Sequence, residues 1–163
     1  MTGQRTVDLP RRLRSFVADE FGANATAAFV YGSVAAQRAR RDSDIDFFVI
    51  TRAPIRLERL TQIASAFATL QRDLGYVPDP KYPIEIFTAE ECRKALAAPA
   101  VKLELRRIAD REGPPTVLGD SDEVEILRAL LDHRIEILAD PLLISLTEQA
   151  SLLHAQTQPP DKE

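Results

Sequence analysis

Apolar positions along this chain change period several times, and each change marks an element. Leu60, Ile63, Phe67, Leu70 and Leu74 recur at helical spacing inside 54–74, and Gly75 follows as a stop. An earlier helix is expected over 9–21, with Asp8 as N-cap, Pro10 in its first turn and Gly22 at its end. Short runs rich in β-branched and aromatic residues, 27–31, 44–51 and 84–87, read as strands. The segment 33–39 is rich in small residues and suits one or two helical turns, 38–43 is a charged loop, and 76–82 is a loop with two prolines. Thr88 followed by Glu91 forms a capping-box pattern for the next helix. Further helical pattern covers 101–111, 122–138 and 142–154, with a short edge strand expected at 116–118.

This order predicts an α/β (α+β) domain: a small mixed sheet flanked by helices, with helices at the C-terminal end. The expected division is a core over 1–120, a helical extension over 121–155 packed on it, and a disordered polar tail over 156–163. The 163 residues suffice for one substantial core. A net charge of -4 argues against general attraction to nucleic acid or anionic membrane, though a local basic patch can still bind phosphate. One cysteine, Cys92, excludes an intramolecular disulfide and a four-cysteine zinc site. The N-terminus lacks an apolar signal segment, and no apolar run approaches the ~20 residues of a membrane span. A cytoplasmic location is the expectation.

The chemistry concentrates in one stretch. A strand ends at Tyr31-Gly32-Ser33, ten residues follow, and then comes Asp44-Ile45-Asp46. A glycine at a strand end lets a ligand approach the backbone, and a serine opening a helical turn offers a hydroxyl and free N–H groups to phosphate. Two aspartates two apart on a strand emerge on one face, roughly 7 Å apart at the backbone. They repel unless a cation lies between them, and carboxylate oxygen suits Mg²⁺. Two such ions can clamp a triphosphate together with the attacking and leaving oxygens. Glu85, an acid inside the apolar run Ile84 to Phe87, is the expected third carboxylate, as metal ligand or as general base toward an acceptor hydroxyl. An Asp-x-Asp alone more often marks a strand end meeting solvent, and Glu85 alone can be a surface acid. The Gly-Ser spacing and the strand context shift the balance toward a metal site.

These residues resemble the DNA polymerase beta nucleotidyltransferase superfamily. The stretch from Arg40 to Val49 is similar to the small bacterial minimal nucleotidyltransferases, the MNT group. The resemblance covers 29–50 well and extends weakly to Glu85 and to Arg111-Glu112-Gly113. It implies Mg²⁺-dependent transfer of a nucleotidyl group, often AMP from ATP, to a hydroxyl. It implies metal binding by Asp44, Asp46 and Glu85, and nucleotide binding by Gly32, Ser33, Ser43 and Arg40. Many members carry arginine and then a second glycine after Gly-Ser. Here Val34, Ala36 and Gln37 occupy that stretch, and Arg38, Arg40 and Arg41 are the candidate replacements for the missing charge.

The acceptor stays open between a partner protein, such as a HEPN-type toxin neutralised by an antitoxin, and a small hydroxylated antibiotic of aminoglycoside type. A third possibility is a degenerate domain that binds nucleotide or a partner without turnover. Arg128 and His133 have the spacing of the HEPN ribonuclease motif, but the helical segment around them is too short for that domain and the match is read as coincidence. His154 is expected at the surface, and Cys92 in the core.

Overall fold

The computed structural model describes residues 2–38, 43–79, 84–98 and 122–157. Arg40, Arg41, the turn at 111–113, the helix expected over 101–111 and the strand expected at 116–118 lie outside the described residues. The elements in order are α1 (Thr2–Phe21), β1 (Ala25–Tyr31), α2 (Gly32–Ala35), β2 (Asp46–Thr51), α3 (Leu57–Asp73), β3 (Glu85–Thr88), α4 (Ala89–Leu96), α5 (Asp122–Leu131), β4 (Ile135–Leu138) and α6 (Pro141–Thr157). The mixed sheet of the α+β expectation is present. Its four strands run in the order β3-β2-β1-β4, with β1 antiparallel to β2 and β4, and β3 parallel to β2.

Two expectations are corrected. The helix expected over 122–138 stops at Leu131, and 135–138 forms strand β4 instead. Ile135-Glu136-Ile137-Leu138 is rich in β-branched residues, and its pairing with β1 supplies an interstrand ladder that outweighs the continued helical pattern. The strand expected over 44–51 begins only at Asp46, so Asp44 lies in the segment leading into β2 rather than on it. The Ser43 carbonyl there accepts a hydrogen bond from Val77 N–H at 3.0 Å. The first helix also begins earlier than its expected cap and carries Pro10 inside it.

The chain divides into two compact units, one of 1–89 with 133–140, the other of 90–132 with 141–163. In the first, α1 and α3 pack on one face of the sheet. Phe16, Ile63, Phe67 and Leu70 meet Ala28, Val30, Phe47 and Val49 in one core, with the Phe47 and Phe67 rings stacked at 5.4 Å. Ile84 and Ile86 pack against the same core, which turns Glu85 to the opposite face. In the second unit, α5 and α6 bury Val124, Leu127, Leu143 and Leu146, and Cys92 is fully buried. Burial pushes the Cys92 thiol up to about 12, in keeping with the core role expected of it. Among the described residues no helix is long and apolar enough to cross a membrane.

Candidate functional site

The strand register places the site. Tyr31 of β1 pairs with Asp46 of β2, and Phe29 with Phe48. On the other side Phe48 pairs with Glu85 of β3. Side chains alternate along a strand, so Asp46, Phe48 and Glu85 share one face with Phe29 and Tyr31. That is the face away from α1 and α3. Asp46 and Glu85 are diagonal neighbours on adjacent parallel strands. Beneath them runs an aromatic floor: Phe29 and Phe48 stack at 5.0 Å, and Phe87 lies 5.4 Å from Phe48.

Gly32 and Asp46 are coupled by contact. Gly32 has φ +71°, in the left-handed region, and it directly follows the residue paired with Asp46. A Cβ at Gly32 would collide with Asp46 Oδ2 and lie 3.0 Å from its Cγ. Only glycine satisfies both the backbone conformation and the space. The Asp46 carboxylate therefore lies against the turn that opens α2. In that turn Ala36 N–H donates to the Gly32 carbonyl at 3.0 Å and Arg38 N–H to the Ser33 carbonyl at 2.7 Å.

Gln37 closes the turn with φ +58°. It lies in the stretch where the resemblance leads one to expect a glycine, and an ordinary L-residue in that conformation carries about 1–2 kcal/mol of strain. Gln37→Gly relieves that strain but loosens the unfolded chain, so a net gain of about 0.5 kcal/mol is expected, read as a higher denaturant midpoint.

Asp44 and Asp46 flank Ile45, which is buried in the core. The Ile45 N–H donates to Gln71 Oε1 at 2.8 Å, and Gln71 is itself fully buried on α3. Gln71 Nε2 has no hydrogen-bond partner among the described residues. A buried amide that leaves its own donor unpaired in order to accept from the middle of Asp-x-Asp fixes the backbone between the two acids. The expectations had omitted Gln71, although its place four residues after Phe67 puts a polar side chain within the inward stripe of α3. Gln71→Leu leaves the Ile45 N–H buried without an acceptor. The expected result is a loss of about 1–3 kcal/mol, offset in part by removal of the unpaired Nε2 and read by chemical denaturation.

Asp44 is partly buried, and its carboxyl is raised above its ordinary value of 3.8. Desolvation is the main cause; a backbone hydrogen bond opposes it, and the nearby charge of Asp79 adds to it. Asp79, too, was missed, because a lone acid in a proline-rich loop carries no periodic signal. A raised carboxyl binds its proton more tightly in the folded state than in the unfolded one. Stability is therefore lost as the pH rises through 3.8 toward the folded value, and the cost persists at neutral pH. Asp44→Asn removes it. The variant is expected to melt above the parent at pH 7 without metal, the difference narrowing as the pH falls toward 4, as scanning calorimetry can check.

Among the described residues no three His, Cys, Asp or Glu side chains are gathered closely enough to hold an ion by themselves. The donor set nonetheless suits Mg²⁺, which takes one or two carboxylates and completes its shell with water and substrate phosphates. The desolvated Asp44 carboxyl, with the charge of Asp79 nearby, is a second feature that a cation would relieve.

The family model described as "Polymerase beta, Nucleotidyltransferase" matches residues 15–104. The chain belongs to this nucleotidyltransferase family. The matched region holds Gly32, Ser33, both aspartates, Gln71 and Glu85. Two solved structures are similar at low identity. One, a toxin–antitoxin with AMP-PNP, is 9% identical over 90% of each chain with a TM-score of 0.47. The other, a mutant of the toxin–antitoxin MntA–HpeT, is 8% identical over 90% of each chain with a TM-score of 0.45. No curated protein matches the chain.

Proposed function

We propose that this nucleotidyltransferase transfers a nucleoside monophosphate, AMP by preference, from a nucleoside triphosphate to a hydroxyl acceptor. One observation carries the reading: in a chain of this family, the Asp46 carboxylate lies against the Gly32 turn while the strand register sets Glu85 on the same face. The acceptor oxygen attacks the α-phosphorus, a phosphate ester forms, and pyrophosphate leaves. Glu85 takes the acceptor proton. Asp44 and Asp46 would hold Mg²⁺ together with substrate phosphates and water, while Glu85 serves as the base. When bound there, Mg²⁺ would supply charge neutralisation at the phosphates. Gly32 and Ser33 receive the phosphate chain through backbone N–H and hydroxyl, and the resemblance adds Ser43 and Arg40 as further nucleotide-binding candidates. The sequence similarity of 40–49 to the minimal nucleotidyltransferases favours a protein acceptor, in the manner of an antitoxin that modifies a HEPN-type toxin in the cytoplasm.

Incubation with ATP labelled at the α-phosphate, Mg²⁺ and candidate acceptors tests this. Label on the acceptor and equimolar pyrophosphate, both lost in Asp44→Ala, are expected. No transfer to any acceptor, with ATP binding that survives Asp44→Ala, would make the domain a binding module instead.

A further inference from the structure

None of the described strand residues is basic, although a triphosphate brought to this face carries several negative charges beside Asp46 and Glu85. Arg52 follows β2 at the end away from Asp46, where its Nε donates to the Ala23 carbonyl; at the end near Asp46 stands Arg134, immediately before β4. Pairing of β1 with β4 runs Phe29 to Glu136 and Val30 to Ile135. One step further along the same antiparallel register brings Arg134 opposite Tyr31, which on its other side pairs with Asp46. Arg134, Tyr31 and Asp46 thus form a row across three strands. The outer two are about 10 Å apart at the backbone, a gap that a metal-bound polyphosphate spans.

The side chain lies on the same face. Its guanidinium carbon is 5.7 Å from the centroid of the Phe29 ring, which stacks on Phe48 next to the site. Arg134 is only 18% exposed, and its Nη2 meets Glu136 Oε1 at 3.1 Å. A guanidinium carbon over an aromatic ring and an ion pair with a carboxylate hold the group in place ahead of any ligand. It keeps a planar set of donors suited to phosphate oxygens.

We infer that Arg134 is a phosphate-binding residue, engaging the polyphosphate of the nucleotide held at Asp46. The inference rests on the nucleotide site proposed above. It places a replacement for the arginine absent after Ser33 just before β4, far away in sequence. Glu136 tempers its charge, so removing Glu136 should strengthen phosphate binding. In an Arg134→Gln background the same change should have a smaller effect, because the carboxylate then has no guanidinium to temper.

Calorimetric titration with Mg²⁺-tripolyphosphate and with Mg²⁺-ATP tests it on the full chain. Arg134→Gln is expected to weaken both about 10-fold, the value of one charge-assisted hydrogen bond. Arg134→Lys should recover part of the loss, and Glu136→Gln should tighten tripolyphosphate binding about 2–5-fold. Unchanged affinity in Arg134→Gln overturns the inference, as does weaker binding in Glu136→Gln. If the parent binds tripolyphosphate and ATP and only Asp46→Asn abolishes this, the Arg134 assignment fails while the proposed site stands. If the parent binds neither, both fail.

Discussion

Asp46→Asn lowers nucleotidyl transfer by about 10³-fold or more while the protein stays folded. The variant keeps the size of the side chain lying against Gly32 and removes the charge proposed to bind Mg²⁺. A metal ion at a phosphoryl group stabilises transition-state charge by several kcal/mol, and each 1.4 kcal/mol is a factor of ten. The fall belongs to kcat, because the carboxylate acts on the reacting phosphate. Single-turnover transfer of α-labelled ATP reads it, and circular dichroism shows that the fold persists. A fall under tenfold would mean that Asp46 is not a metal ligand in the reacting complex.

Gly32→Ala should be nearly as damaging, for a different reason. An alanine must hold a left-handed conformation, costing about 1–2 kcal/mol, and must displace the Asp46 carboxylate, with overpacking of about 1–3 kcal/mol. The expected sum of about 2–5 kcal/mol lowers Tm by roughly 4–20 °C for a chain of this length. Activity falls further than stability alone explains, since a shift of about 1 Å in a catalytic group costs about 10²-fold. Gly32→Ala at a temperature where it is fully folded should show that deficit. An alanine variant with parental kcat would separate the turn from the chemistry.

Much of the candidate site was legible along the chain because its residues are close in sequence. Gly32, Ser33, Asp44 and Asp46 fall within fifteen positions, each residue type answers a local demand, and strand periodicity assigns faces. Glu85 was legible by contrast, as an acid between isoleucines that turn into the core. Strand β4 was not, because Ile135 to Leu138 continues the helical pattern begun at Asp122. Its strand conformation depends on a partner, β1, about a hundred residues earlier. The start of β2 was misplaced for the same kind of reason: the Ser43 carbonyl is claimed by Val77 and the Ile45 N–H by Gln71, and no local pattern announces either bond.

The sequence by itself determined the family-like motif, the pair of aspartates and the mixed helix-and-strand class, since these rest on spacing and on the intrinsic preferences of neighbouring residues. Tertiary structure alone decided that Asp46 lies against Gly32, that Gln71 holds the backbone between the aspartates, that Asp79 adds its charge to Asp44, and that Arg134 shares the face of the site. The physical reason is common to all four. Each depends on contacts between segments separated by a dozen to a hundred residues, and only the pairing of strands and the packing of α3 bring those segments together.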